Sequence, residues 1–395
     1  MNKIGVFGVN FDNKGAEAMI ITLNEYLKKN YSKDFKLVIF YDSKLKENFV
    51  NPSENYLIFQ GPLTFLNHWL FTINTILYKW LRIIPFYFQT KIVKEFSQCS
   101  LCVDLSGFAL TDDFSKNSGT RRSLIFLSQA LASKLTKKIY IILPQAIGPF
   151  KRKLNEYIVK FIIHLSDLVY NRGKYKFKLG RRLKSKCVKT TDIVFETSFI
   201  EKYELKECKD FENKVILNPN ARIYHKSVSG ELYIKSQVEI INKLLSNNFN
   251  VVLTPNEIRE NEIDDLQICK MLKDKFKDNS KVILNENIEI NNLLNLISDS
   301  KFIITSRFHL MVFSLILNTP IIVISWSEKY YDIMNSFSID KYCISDPTKA
   351  IKIIDNLLSN FENVKQKIKI NLKINSQQIN ESLSLFLKLL NNLSK

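Results

Sequence analysis

Ser306-Arg307-Phe308-His309 is the stretch of the sequence richest in chemistry. It follows an apolar run ending at Thr305 and leads into a second one that reads as a helix. An arginine offers a planar fork of donors that fits a carboxylate or a phosphate. A histidine can hand over a proton near neutral pH. An arginine at a strand end often serves only a structural ion pair, so each residue alone says little. Together, in one turn between strand and helix, they point to a site that binds an anion and supplies a proton.

A second stretch, residues 8–20 (GVNFDNKGAEAMI), runs from a strand through a polar loop into a helix opening at Gly15. Helix N-termini suit anions. Glu17 in the first turn serves either the helix dipole or a catalytic carboxylate, and both readings stand. The chain has only 10 glycines in 395 residues, where about 7% is usual. Six of them, Gly5, Gly8, Gly15, Gly107, Gly148 and Gly173, fall at candidate strand ends or in the loops beyond. Glycine there permits tight turns and close approach to a ligand. Neither GxGxxG nor GxxxxGK[ST] occurs, so the dinucleotide and P-loop fingerprints are absent.

Positioning such loops calls for a parallel α/β framework, and the pattern supplies one. Strands are expected at 3–8, 37–41, 101–105 and 139–143, with helices at 16–28 and 122–134 between them. A helix at 154–169 is expected to end in a strand-like turn. The second half repeats the alternation, with strands at 215–218, 251–254, 282–284, 302–305 and 321–325. Helices are expected at 233–247, 262–276, 290–298 and 310–317, and a helical tail after Ala350. The expected fold is α/β, with two doubly wound Rossmann-like domains facing a cleft. The expected domains are 1–190 and 191–395, with the C-terminal helices packing back on the first. Residues 65–88 interrupt the alternation. Leu66, Trp69, Leu70, Ile73, Ile76, Leu77, Trp80 and Ile84 form an apolar stripe, with Lys79 and Arg82 elsewhere. The stretch is too polar for a membrane span. It reads either as a core helix or as an interfacial helix lying on a membrane.

The six cysteines are scattered, and no second pair or histidine cluster joins Cys99 and Cys102, so no metal site is expected. Their sparseness and the strand-like opening MNKIGVFGVN fit a cytoplasmic protein without a leader. The net charge of +18 is either a matter of biased composition or an attraction for anionic substrates or lipid. Zinc-finger spacing, RNP-like strands and basic arms are lacking, and nucleic acid is not an expected partner.

The motif set resembles the polysaccharide pyruvyltransferase family over most of the chain. The family's N-x-G-[AD]-E-A stands as Asn13-Lys14-Gly15-Ala16-Glu17-Ala18, and PQxIGP as Pro144-Gln145-Ala146-Ile147-Gly148-Pro149. The second-strand glycine motif is Asp104-Leu105-Ser106-Gly107-Phe108, with two of three glycines missing. Asn171-Arg172-Gly173 matches the Arg-containing turn, with Gly173 in place of Asp, and Thr191-Asp192 the following strand. Pro255-Asn256 stands where the family has Pro-His. S-R-x-H is Ser306 to His309, G-x-P-x-[IV] corresponds to residues 318–322 with Asn318 at the glycine position, and the later S-x-x-x-K ends at Lys329.

The resemblance implies a GT-B-like fold, phosphoenolpyruvate as donor substrate, no cofactor, and a ketal product on a bacterial cell-surface polysaccharide or its lipid-linked oligosaccharide precursor. Arg172 and Arg307 would clamp the donor's carboxylate and phosphate, with Ser306, Phe308 and Lys329 beside them. His309 would protonate the methylene carbon or bind the departing phosphate. Glu17 and Asp192 are candidate bases, while Asn13, Gly15, Gly107, Gln145 and Gly148 would line the cleft. A place at the inner membrane face, with peripheral contact to anionic lipid, goes with such acceptors. Two alternatives remain: a GT-B nucleotide-sugar glycosyltransferase and an inactive relative. No Asp or Glu occurs from 300 to 327, where nucleotide-sugar enzymes usually hold a ribose with a carboxylate.

Overall fold

The computed structural model describes residues 2–41, 51–61, 64–113, 118–173, 178–205, 213–226, 229–258 and 263–393. Two parallel sheets organise them. The first contains β1 (Asn2–Phe7), β2 (Phe35–Tyr41), β3 (Tyr56–Gln60), β4 (Leu101–Asp104), β5 (Ile139–Gln145), β6 (Leu168–Arg172) and β7 (Cys187–Thr190), in the order β3-β2-β1-β4-β5-β6-β7. The second contains β8 (Lys214–Asn218), β9 (Asn250–Leu253), β10 (Val282–Leu284), β11 (Phe302–Thr305), β12 (Ile321–Ile324) and β13 (Cys343–Ile344), in the order β10-β9-β8-β11-β12-β13. The central strands read LCVD, FIIT and IIVI and are buried throughout. Such unbroken apolar runs are what a parallel sheet covered on both faces requires.

In each sheet the chain leaves the first strand in one direction and later returns to its other side. The order therefore reverses between β1 and β4 in one sheet and between β8 and β11 in the other. Phe7 pairs with Asp104, and Asn218 with Thr305. The loops beyond these residues lie at the two switch points, where open α/β sheets bind ligands.

The helix expected at 154–169 ends earlier, at Leu165. Ser166 is extended, the Asp167 amide donates to the Tyr140 carbonyl (2.8 Å), and residues 168–172 enter the sheet as β6. Chain contacts divide the molecule into two units. One holds Met1–Phe11, Met19–Glu196 and Gln378–Lys395; the other holds Asp12–Ala18 and Thr197–Gln377. The last helix, Phe361–Asn392, thus belongs to both. Its end buries Ile379, Leu383, Phe386 and Leu390. Tyr170 Oη donates to the Ser382 carbonyl (2.8 Å), and Ser382 Oγ donates to Thr190 Oγ1 (2.9 Å).

Cys99 and Cys102 are buried free thiols, and burial pushes Cys102 up to about 11. The stretch read at 65–88 forms the helix Phe65–Leu81. Its inward residues are His68, Phe71, Thr72, Asn74 and Thr75.

Candidate functional site

In the first unit, the loops after β1, β4, β5 and β6 converge. Gly8 has φ +77°, and a β-carbon there would come within 2.8 Å of the Ser106 amide nitrogen, so the two switch-point loops touch. Asp104 ends β4, fully buried, and accepts from the Ser106 amide (2.8 Å). The Gln145 carboxamide, oriented to satisfy its neighbours, donates to Asp104 Oδ2 and Ser106 Oγ (both 3.2 Å). It accepts from the Ala109 and Leu110 amides (both 3.1 Å). Burial pushes the Asp104 carboxyl up to about 7, against the pull of the Ser106 bonds. Gly107, at φ +67°, lets the loop turn beside Arg172: a β-carbon at Gly107 would lie 3.7 Å from Arg172 Nη1. Arg172 itself is buried in an ion pair with Asp192. The Gly148 amide donates to the Leu110 carbonyl (2.8 Å), tying the PQAIGP loop to the one after β4. Gly173 has φ +88°, a conformation that favours glycine over the aspartate usual there in the motif.

In the second unit, Arg307 is held on two sides. Nη1 pairs with Glu257 (2.7 Å) and Nη2 with Asp265 (2.5 Å). Asp265 is fully buried and also accepts from the Ala221, Asn256 and Glu257 amides (3.0, 3.2 and 3.2 Å). Burial would lower the Arg307 pKa, but Asp265 and Glu257 outweigh it and raise it, so the guanidinium stays charged. The turn is fixed from below as well. The Arg307 amide donates to Thr305 Oγ1 (2.9 Å), which donates to Asn218 Oδ1 (2.6 Å). The Ser306 carbonyl accepts from Asn220 Nδ2 and Tyr330 Oη (both 2.8 Å). The helix Phe308–Ile316 starts there with no side-chain cap.

The segment Asp12–Ala18 groups with this unit. Asn13 Oδ1 accepts from the Gly15 and Ala16 amides (3.0 and 3.4 Å), fixing the start of the helix Lys14–Asn30. His309 lies directly against Gly15: a β-carbon there would fall 1.8 Å from His309 Nδ1. Glu17 is ion-paired with Lys14 (2.7 Å). Lys329 Nζ sits over the rings of Phe308, Trp326 and Tyr330 (5.0, 5.0 and 5.5 Å). Arg222 stacks on Trp326 from 4.9 Å, beside a cavity of about 370 Å³ lined by Trp326, Tyr233, Ser325, Asp346 and Thr348.

The structure thus gathers the expected residues into two groups. Gly107, Gln145, Gly148 and Arg172 meet in the first unit. Asn13, Gly15, Glu17, Ser306, Arg307, Phe308, His309 and Lys329 lie in the second. Sequence reasoning missed Asp104, Glu257 and Asp265. Glu257 lies just beyond β9 and Asp265 opens the next helix, Asp265–Lys275; the strand end before Glu257 was the available signal. No group of three or more His, Cys, Asp or Glu placed to hold a metal occurs among the described residues.

A family model described as polysaccharide pyruvyl transferase matches residues 13–328. No curated protein sequence matches. Several solved structures share the fold. S. aureus MnaA in its co-structure with UDP has TM-score 0.61 at 12% identity, covering 98% of each chain. UDP-GlcNAc 2-epimerase from Neisseria meningitidis bound to UDP-GlcNAc has TM-score 0.57 at 14% identity, covering 98% of this chain and 100% of that one. Apo UGT2 of Phytolacca americana has TM-score 0.55 at 8% identity, covering all of both. At these identities the likeness shows a GT-B-like fold with two parallel-sheet domains.

Proposed function

Because the chain belongs to the polysaccharide pyruvyl transferase family, we propose that it transfers the pyruvyl group of phosphoenolpyruvate to two hydroxyls of a sugar in a polysaccharide or its lipid-linked precursor. The observation that carries this reading is the convergence of residues 13–18 and 306–309, with His309 packed on Gly15. The donor is an enol phosphate with a carboxylate, so it needs cations and a proton source. Arg307 spends one N–H of each terminal nitrogen on Glu257 and Asp265, and its Nε has no partner among the described residues. The two carboxylates hold the fork rigid, which spares the ordering cost when an anion binds. First-turn amides of the helix Phe308–Ile316 suit the same anion. Arg172, beside Gly107, is the second cation of this reading.

His309 protonates the methylene carbon, which becomes the methyl group, and positive charge develops at the enol carbon. One sugar hydroxyl adds there and its proton replaces the one His309 gave. The carbon–oxygen bond to phosphate breaks, the second hydroxyl closes the ketal, and its proton leaves with inorganic phosphate. Atoms and charge balance without a redox step.

A second reading, transfer from a nucleotide sugar, is favoured by Glu257 and Asp265, which the fold brings to the turn that lacks acids in its own sequence. One experiment separates the two. The protein is incubated with a panel of glycosides and either phosphoenolpyruvate or UDP-sugars. Acceptor-dependent phosphate release with a pyruvate ketal on the glycoside supports the proposal. Release of UDP instead, or of neither, overturns it.

A further inference from the structure

The helix Phe65–Leu81 buries several polar residues and leaves part of its apolar side in solvent. Four polar residues, His68, Thr72, Asn74 and Thr75, are buried: Thr72 Oγ1 donates to the Ser128 carbonyl (2.9 Å), and Asn74 Nδ2 donates to Gln89 Oε1 (2.9 Å). Gln89 Nε2 returns to the Asn67 carbonyl (2.9 Å). Phe71 is buried, but three apolar residues spaced seven apart, on one face, point outward: Leu66 is 64% exposed, Ile73 44% and Trp80 54%. At the helix end and just beyond, Leu81 (60%), Ile83 (54%), Tyr87 (83%) and Phe88 (68%) are exposed as well. Water-exposed apolar residues scattered singly are ordinary; a contiguous set marks an interaction surface.

Charge says what covers it. Residues 55–94 contain no Asp or Glu, but do contain Lys79, Arg82, Lys91 and Lys94, all exposed. Lys137 stands over the Trp80 ring (5.0 Å), and the Trp80 indole N–H donates to the Leu135 carbonyl (3.2 Å), so the ring is fixed in its outward position. A second copy docked about a twofold axis would set this cationic rim against itself, with no acid in the stretch to relieve it. An anionic lipid surface complements both features. Apolar side chains enter the headgroup boundary to a depth of about 5–10 Å, and cations meet the lipid phosphates. No helix among the described residues is long and apolar enough to cross a membrane, so the contact is peripheral.

We infer that residues 65–88 are the docking surface of this protein for an anionic bilayer. The inference does not depend on the ketal-transfer reading. It is tested by flotation with vesicles of phosphatidylcholine alone or mixed with phosphatidylglycerol, at low and high salt. The expected result is binding to the anionic vesicles at low salt, weakened about tenfold or more by high salt or by neutral lipid. Two double variants, Trp80→Ser with Phe88→Ser and Lys79→Glu with Arg82→Glu, lose binding by about tenfold or more. Their unfolding temperatures and phosphate release with a soluble acceptor stay unchanged, which separates failure here from failure of the functional proposal. Three outcomes overturn the inference. The wild-type protein fails to float, either variant binds as well as wild type, or a dimer in solution shields Trp80 from a soluble quencher.

Discussion

Arg307 carries two ion pairs in a buried setting, and this changes what its removal means. Arg307→Ala removes the cation that Glu257 and Asp265 share, and breaking a buried pair typically costs about 3–5 kcal/mol. The variant is therefore expected to unfold earlier in denaturant as well as to show a raised KM for phosphoenolpyruvate. His309→Ala tests the proton donor instead. Its expected signature is kcat down by roughly 10²–10⁴; near-normal turnover at saturating donor would remove the proton-donor role. Gly15→Ala offers an independent check, because its β-carbon occupies the place of the His309 ring. It should lower kcat in the same direction by moving His309, and an unaltered kcat would show that the packing is irrelevant to the reaction. Asp104 gives a pH signature. Its folded pKa is raised to about 7, so its stabilising contribution is present below the ordinary carboxylate range and lost as pH rises to about 7. Relative to Asp104→Asn, the wild type should lose about 1.4 kcal/mol per pH unit between pH 5 and 7 and level off near pH 8, as read from denaturant unfolding. A difference independent of pH would mean that the carboxyl titrates normally.

Central strands were legible in the sequence because a strand buried on both faces must be apolar along its length, as in FIIT and IIVI. The strands that went unread include β3, β7 and β13, each at the edge of its sheet. β3 and β7 are partly exposed along their length and β13 has only two residues, so their patterns fade into those of loops. β6 was hidden differently, its apolar residues being continuous with those of the preceding helix until Ser166 and Asp167 break it. The motif turns were legible because their residue types announce their chemistry. Glu257 and Asp265 were not, since their ion pairs with Arg307 join residues 50 and 42 positions apart in the chain. The helix Phe65–Leu81 was read correctly as a helix with an apolar stripe, while the facing of that stripe depends on partners distant in sequence. Its inner side should behave as a core. Asn74 donates to Gln89 and accepts from the Phe86 amide (3.3 Å). Asn74→Ala is expected to lower stability by roughly 1–3 kcal/mol per buried group left unsatisfied, measured by thermal unfolding; no loss would show that water replaces those bonds freely.

At the scale of the molecule, the two units are not consecutive stretches of chain. Gln378–Lys395 completes the first unit although it follows the whole of Thr197–Gln377. A chain ended at residue 377 would lack Ile379, Leu383, Phe386 and Leu390, each fully buried. Side chains of this kind contribute about 1.5–3 kcal/mol apiece, comparable in sum to the stability of an average domain. The truncated chain is expected to aggregate or to lose its cooperative transition, followed by scattering and circular dichroism; a shortened chain with normal melting would show that the helix end is dispensable. The same thread through both units sets a timetable for synthesis. A ribosome adds about 5–20 residues per second, so the first sheet emerges long before the helix that seals it. Its β6–β7 side waits roughly 10–40 s, at that rate, for the intervening residues to be made. During that interval the surface awaiting Phe386 and Leu383 is open to chaperones and to neighbouring nascent chains, which makes translation speed through the second unit a determinant of yield.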